Sequence, residues 1–118
     1  MKLPNLENLL IPEHKITDYL LSDENSKGKS AFFISCGFTQ TNWKELHNAL
    51  QQHAINHDVQ LTSKTIYGTK YIIEAFMQIP DGRCLKIRSV WIIDTGTEIP
   101  RLVTAYPLHG EKIYDTRT

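Results

Sequence analysis

The chain is poor in the residues from which metal sites, stapled scaffolds and membrane spans are built. Its two cysteines, Cys36 and Cys84, stand far apart and outside any Cys-x-x-Cys spacing. Neither a zinc site nor a redox pair is expected from them, and two buried free thiols are. No apolar run approaches the roughly 20 residues that cross a bilayer. The start Met1-Lys-Leu-Pro-Asn5 carries no apolar signal region, so a cytoplasmic location without a membrane partner is the expectation. Net charge is missing too. Thirteen basic residues balance thirteen acidic ones, which excludes coating of nucleic acid by bulk electrostatics and leaves room for a small local basic site. No DNA partner is expected. There is no internal repeat and no low-complexity stretch.

What is present fits one domain. A chain of 118 residues can bury about two-thirds of its unfolded surface, enough for a core without staples. Helical spacing dominates the first half, about 11–58. Pro12 suits a first helical position, and Ile16, Tyr19 and Leu20 recur at helical intervals after it. Residues 22–28 are polar and aperiodic, as in a loop. The stretch 29–36 has strand-like aromatics, but Gly37 followed by Phe38 suits a helix closed by a left-handed cap. Asn42 with Glu45 makes a capping-box pattern, and Trp43, Leu46, Leu50 and Ala54 follow one face of a helix ending near His57.

From about 59 to 109 the period changes to two. Strands are expected at 59–65, 69–79, 83–94 and 101–107, with Pro80-Asp-Gly82 as a hairpin turn and a polar tail at 110–118. Helices followed by a four-stranded antiparallel meander imply an α+β fold with the helices packed on one sheet face.

The strands carry the chemistry. Alternation places Lys70 with Ile72, Glu74 and Phe76, and places Lys86 and Arg88 with Val90 and Ile92. It sends Leu85, Ile87, Trp91 and Ile93 to the opposite face, with Trp91 in the core. In the last strand it puts Leu102, Thr104 and Tyr106 together. Lys70, Arg88, Thr104 and Tyr106 on one sheet would supply cations, a hydroxyl and a phenol, the groups a metal-free phosphodiester site needs. An ordinary solvated sheet face carries the same residues, with Lys70 paired to Glu74. His14 is the titrating group best placed to assist from a helix. Lys29 opens a helix as an anion contact, although Ser26-Lys-Gly-Lys-Ser30 lacks the first glycine of a phosphate loop. The pair His53 and His57 has metal-ligand spacing with no glutamate between them. No metal and no cofactor are expected.

The set Leu3-Pro-Asn-x-Glu7, Ile11-Pro-x-x-Lys15, Tyr67-Gly-x-Lys-Tyr71, Pro80-Asp-Gly82, Arg88-Ser-Val-Trp-Ile-Ile93 and Pro100-Arg-Leu-Val-Thr-Ala-Tyr-Pro107 resembles a bacterial domain family of uncharacterised activity. Its members look like stand-alone small proteins or C-terminal modules of phage-type and toxin-type proteins. The order of elements and the last strand also resemble the barnase/EndoU/colicin/RelE-like (BECR) ribonuclease superfamily. That resemblance implies a metal-independent RNA endonuclease acting as a toxin. Lys70, Arg88, Thr104, Tyr106 and His14 would then be catalytic, Lys29 and Lys86 would bind substrate, and a cognate protein would neutralise the enzyme. The chain departs from the pattern in having no histidine in its sheet strands. Two alternatives stay open: a non-enzymatic binding module of the immunity or antitoxin type, and a phage-derived accessory domain.

Overall fold

The computed structural model describes residues 1–22 and 29–108, with the side chain of Lys29 also left undescribed. The polar loop and tail expected at 22–28 and 110–118 therefore fall almost wholly outside the described residues. A 3-10 turn at Leu6–Asn8 precedes α1 (Glu13–Lys15), which runs into a π-helical turn at Ile16–Leu20. Pro12 caps this segment from an extended conformation. The wider winding lets Leu21 donate to the Ile16 carbonyl at 2.8 Å and turns Ile16, Leu20 and Leu21 into the core.

Helix α2 (Lys29–Ser35) resolves the ambiguity of that stretch. Gly37 takes φ +105° and Phe38 N–H bonds the Phe33 carbonyl at 3.2 Å. The Phe33 and Phe38 rings meet edge to face at 6.2 Å, so the left-handed cap and its closing apolar contact are both formed.

The long helix α3 (Trp43–Asn56) buries Leu46, Leu50, His53 and Ala54. Its start differs from the capping-box expectation. The Asn42 side chain makes no cap hydrogen bond, and its own N–H is held instead by Thr39 Oγ1 at 3.0 Å. At the other end His57 Nδ1 donates to the His53 carbonyl at 3.0 Å, which closes the helix with a side chain. No described helix is long and apolar enough to cross a membrane.

Strands β1 (Leu61–Lys64), β2 (Gly68–Gln78), β3 (Cys84–Asp94) and β4 (Arg101–Pro107) form one antiparallel sheet in the order β1-β2-β3-β4. This is the expected α+β meander. The turn at Pro80-Asp-Gly82 is closed by Ile79 N–H to the Arg83 carbonyl at 2.9 Å. Ile73, Met77, Leu85, Ile87, Trp91, Leu102 and Ala105 form one face and join the helices in the core. Trp91 is fully buried, as its aliphatic neighbours imply. Of the thiols, Cys36 is buried and Cys84 is exposed, contrary to the expectation of two buried groups. An element that strand periodicity did not disclose lies along β4, where Leu10 bonds Pro100 and Leu102 as a short parallel bridge.

Strict alternation fails at one place. The β3–β4 register shifts between Val90 and Trp91, so that Val90 faces Thr104 while Trp91 faces Leu102. The extra residue in β4 turns Leu102 into the core and leaves Thr104 and Tyr106 on the opposite face.

Gly68 opens β2 at φ +152°, and a Cβ there would lie 2.3 Å from the Ile93 carbonyl oxygen. That oxygen and the Asp94 Cα, 2.8 Å away, are backbone atoms that cannot swing aside. Gly68→Ala is therefore expected to lower unfolding stability by roughly 2 kcal/mol or more, read as a fall in the urea midpoint. An unchanged midpoint would show that the strand start relaxes freely.

Candidate functional site

The pleat and the register together assemble the outer face of the sheet. Glu74 of β2 pairs with Arg88 of β3, which pairs with Tyr106 of β4, so three side chains from three adjacent strands lie in one row. Arg88 binds both neighbours. Its Nε donates to Glu74 Oε2 at 2.7 Å, its Nη2 donates to the same oxygen, and its Nη1 donates to the Tyr106 hydroxyl at 3.3 Å. The Tyr106 and Glu74 contacts hold the guanidinium even further above neutral than usual, against the opposing effect of desolvation. Both contacts to the carboxylate fall on Oε2. Oε1 makes no bond to Arg88.

The other residues singled out from the sequence are distributed around this row. Lys86 lies on the same face, opposite Phe76, two residues from Arg88. Thr104 lies opposite Val90 and contacts the Tyr19 hydroxyl at 3.4 Å. Lys70 shares the face but sits opposite Ile92, roughly 13 Å from the row at the usual rise of a strand. It is not the partner of Glu74, which belongs to Arg88. His14 is exposed on α1, and the N-terminal helical segment reaches the sheet through Tyr19, whose ring also carries Lys15 Nζ at 5.0 Å from its centroid. Lys29 begins α2, and its side chain lies outside the described residues.

Between the polar groups, Val90 and Ile92 belong to this face yet are only 7% and 6% exposed. The floor of the site is apolar and buried. Phe76, 49% exposed, borders it. Such a surface offers a ring for stacking beside a few cations. Glu74 is the member of the row that sequence reasoning did not assign a chemical role. Its signal was available: an acid alternating with Lys70 on a strand whose partner carries Arg88.

Beneath the row, on the inner face, runs a buried polar chain. The indole N–H of Trp91 donates to Ser89 Oγ at 2.9 Å, and Ser89 Oγ lies 2.9 Å from His53 Nδ1. His53 Nε2 lies 2.9 Å from the Ala75 carbonyl. Since a carbonyl only accepts, Nε2 carries the hydrogen and Nδ1 accepts from the serine hydroxyl. A neutral His53 satisfies every bond in the chain. Both its ring nitrogens are thereby used, and among the described residues no cluster of three or more metal-ligating side chains occurs. The position of His53 in the apolar stripe Leu46–Leu50–Ala54 was the sequence signal for burial.

A second concavity, a cleft of about 550 Å³, lies between α3 and the distal half of β2, lined among others by Asn48, Gln52, Asn56 and Phe76.

These features define a helix-backed antiparallel sheet with a three-strand polar row on the face opposite its apolar core. The chain belongs to the family described as Domain of unknown function (DUF6883), whose model matches residues 2–109. No curated protein matches it. A solved chain from a contact-dependent growth inhibition toxin - immunity protein complex of Klebsiella pneumoniae 342 is similar over 89% of this chain and 97% of that one. The TM-score is 0.68 and the identity 17%, so the two share a fold.

Two outcomes are expected for the buried chain. Ser89→Ala leaves the Trp91 N–H and His53 Nδ1 without partners and should cost about 1–3 kcal/mol, measured by chemical denaturation. A second follows from burial, the main cause that holds His53 below its ordinary value, with the Ala75 carbonyl opposing and His57 adding to the effect. The unfolded chain then takes up this proton at a higher pH than the folded one. Stability is full above the unfolded value of about 6.5 and falls as pH drops below it. The denaturant midpoint should decline between about pH 7 and about pH 5, and His53→Gln should flatten that decline. An equal slope in the variant would assign the proton uptake elsewhere. Asp81 and Asp94, held below the usual carboxylate range by Arg83 and Arg101, act only at lower pH.

Proposed function

We propose that the chain is a toxin-type, metal-independent RNA endonuclease whose working residues are Glu74, Arg88 and Tyr106. The observation that carries this reading is the row itself: a carboxylate, a guanidinium and a phenol in register on three adjacent strands, with Arg88 bonded to both others.

RNA cleavage by its own 2′-hydroxyl needs a base, an acid and donors for the phosphate oxygens. Glu74 takes the 2′-hydroxyl proton through Oε1. The 2′-oxygen attacks the adjacent phosphorus, and the bond from phosphorus to the 5′-oxygen breaks. Arg88, already oriented by its two partners, donates to the non-bridging oxygens as their charge grows. Tyr106 accepts from Arg88 and, as the acid, passes its phenolic hydrogen to the departing 5′-oxygen. The products are a cyclic 2′,3′-phosphate and a 5′-hydroxyl. Lys86 and Thr104 hold neighbouring phosphates, while Phe76 stacks a base. In this scheme Lys70 and Lys29 serve as steering charges and His14 as a peripheral contact, rather than as catalytic groups. The shared fold with a chain of a toxin–immunity complex supports the setting, and a neutralising protein partner goes with it.

Two observations favour a second reading, a binding module of immunity type. Arg88 is already neutralised by Glu74, and the whole chain carries no net charge.

The two readings separate in one experiment. Wild type, Glu74→Gln, Arg88→Ala, Tyr106→Phe and Lys70→Ala are expressed under tight control, and growth and total RNA are followed, with cleavage repeated in chelator. Wild type should arrest growth and fragment RNA with or without chelator. Glu74→Gln and Arg88→Ala should lose about 10²–10⁴-fold in cleavage rate, while Lys70→Ala loses little. Intact RNA and normal growth with folded wild type would sink the enzyme and leave the binding module.

A further inference from the structure

Strand β1 is shorter than the strand it flanks. It ends at Leu61, opposite Ile72, whereas β2 continues to Gln78. Before Leu61 the chain turns away, with Val59 N–H bonding the Met1 carbonyl at 2.7 Å. Among the described residues, no strand covers β2 from Glu74 to Gln78 on this side.

The direction of the bare backbone groups follows from the ladder. The Ile72 and Gly68 carbonyls accept bonds from the β1 side, and backbone groups of alternate residues point the same way along a strand. Glu74, Phe76 and Gln78 therefore present N–H and C=O to the open edge, while Ile73, Ala75 and Met77 pair with β3. Unpaired edges of this kind are templates for another chain.

This edge is the floor of the cleft described above. Its far wall is α3, which contributes a row of exposed carboxamides one turn apart, Asn48, Gln52 and Asn56. We infer that this groove is a docking site for an extended segment of another protein, which adds to β2 as a strand in line with β1. The occupant is identified by its chemistry. Donors and acceptors repeating every second residue, at roughly 6.8 Å, are matched by an extended polypeptide backbone and by no compact ligand. Alternate side chains of that segment would lie over Phe76 and against the carboxamide row, so small or apolar residues alternating with polar ones fit. Glu45 is the acidic residue of the lining, which favours a neutral or basic segment. A second copy of this chain does not fit, because its own equivalent edge is recessed behind its own α3. The docked strand would also come alongside Glu74, but the inference does not depend on that residue being catalytic.

The test pans a phage-displayed library of short linear peptides against the full chain and follows a selected peptide by amide hydrogen exchange. In the free chain the Phe76 and Gln78 amides should exchange fast while those of Ala75 and Met77 are slow. Bound peptide should slow the first pair. Gln78→Pro removes a donor that faces the groove and spares the β3 ladder, and it should weaken binding at least about tenfold. Gln52→Arg, on the exposed side of α3, fills the groove and should do the same without touching the sheet. Slow Phe76 and Gln78 exchange in the free chain would overturn the inference. So would a failure to select any peptide, binding that leaves those amides unchanged, or binding that both variants retain.

Discussion

The register of β2 on β3 is the constraint on which the rest of the structure depends. The two strands pair without interruption from Gly68 opposite Asp94 to Gln78 opposite Cys84. Side chains alternate between faces, so a slip of one residue would set the apolar side chains of the two strands on opposite faces. Either Trp91, Ile87 and Leu85 would leave the core with Arg88 forced beneath the helices, or Ile73 and Met77 would leave it with Glu74 forced in. Burying a separated charge while exposing core residues is costly on both counts. The apolar face and the polar row are thus one decision, and the tight turn at Pro80-Asp-Gly82 helps to make it.

The inner face then couples this register to the helices. Ser89 follows Arg88 in β3 and points the opposite way, into the chain of bonds from Trp91 to His53. An apolar contact between α3 and the sheet would tolerate sliding, because dispersion has little directional preference. Hydrogen bonds from one imidazole to β3 and β2 do not. Breaking them would strand buried polar groups, so α3 is held at one height on the sheet. The same helix, at the same height, forms the far wall of the cleft along β2. A single buried histidine thereby influences the sheet's polar face through β3 and its open edge through α3.

Charge behaves differently at the two scales. The chain as a whole is neutral, and its strongest outer-face cation is bonded to an acid. Neutrality of this kind removes long-range attraction for polyanions while leaving local geometry intact. A protein partner meeting the same surface would find directional donors rather than a broad field.

Much of the architecture was legible in the residues. The change of period near residue 59, the turn at Pro80-Asp-Gly82 and the left-handed cap at Gly37 are local events, set by side-chain alternation and by backbone angles of single residues. So was the division of β2 and β3 into an apolar and a mixed face, because alternation needs no partner. The pairing of Lys70 with Glu74 that an ordinary solvated face offered was not realised, since strand neighbours along one chain are farther apart than cross-strand partners. Nor did the Asn42–Glu45 capping box form, as Thr39 Oγ1 takes the Asn42 N–H that Glu45 would bond. The extra residue in β4, the bridge from Leu10, the union of Glu74 with Arg88 and Tyr106, and the bare half of β2 all depend on where separate segments meet. Local sequence determined which elements form and which face of each is apolar. Only the tertiary structure decided which polar residues became neighbours, because register is a relation between strands and is stabilised by packing far away in the chain.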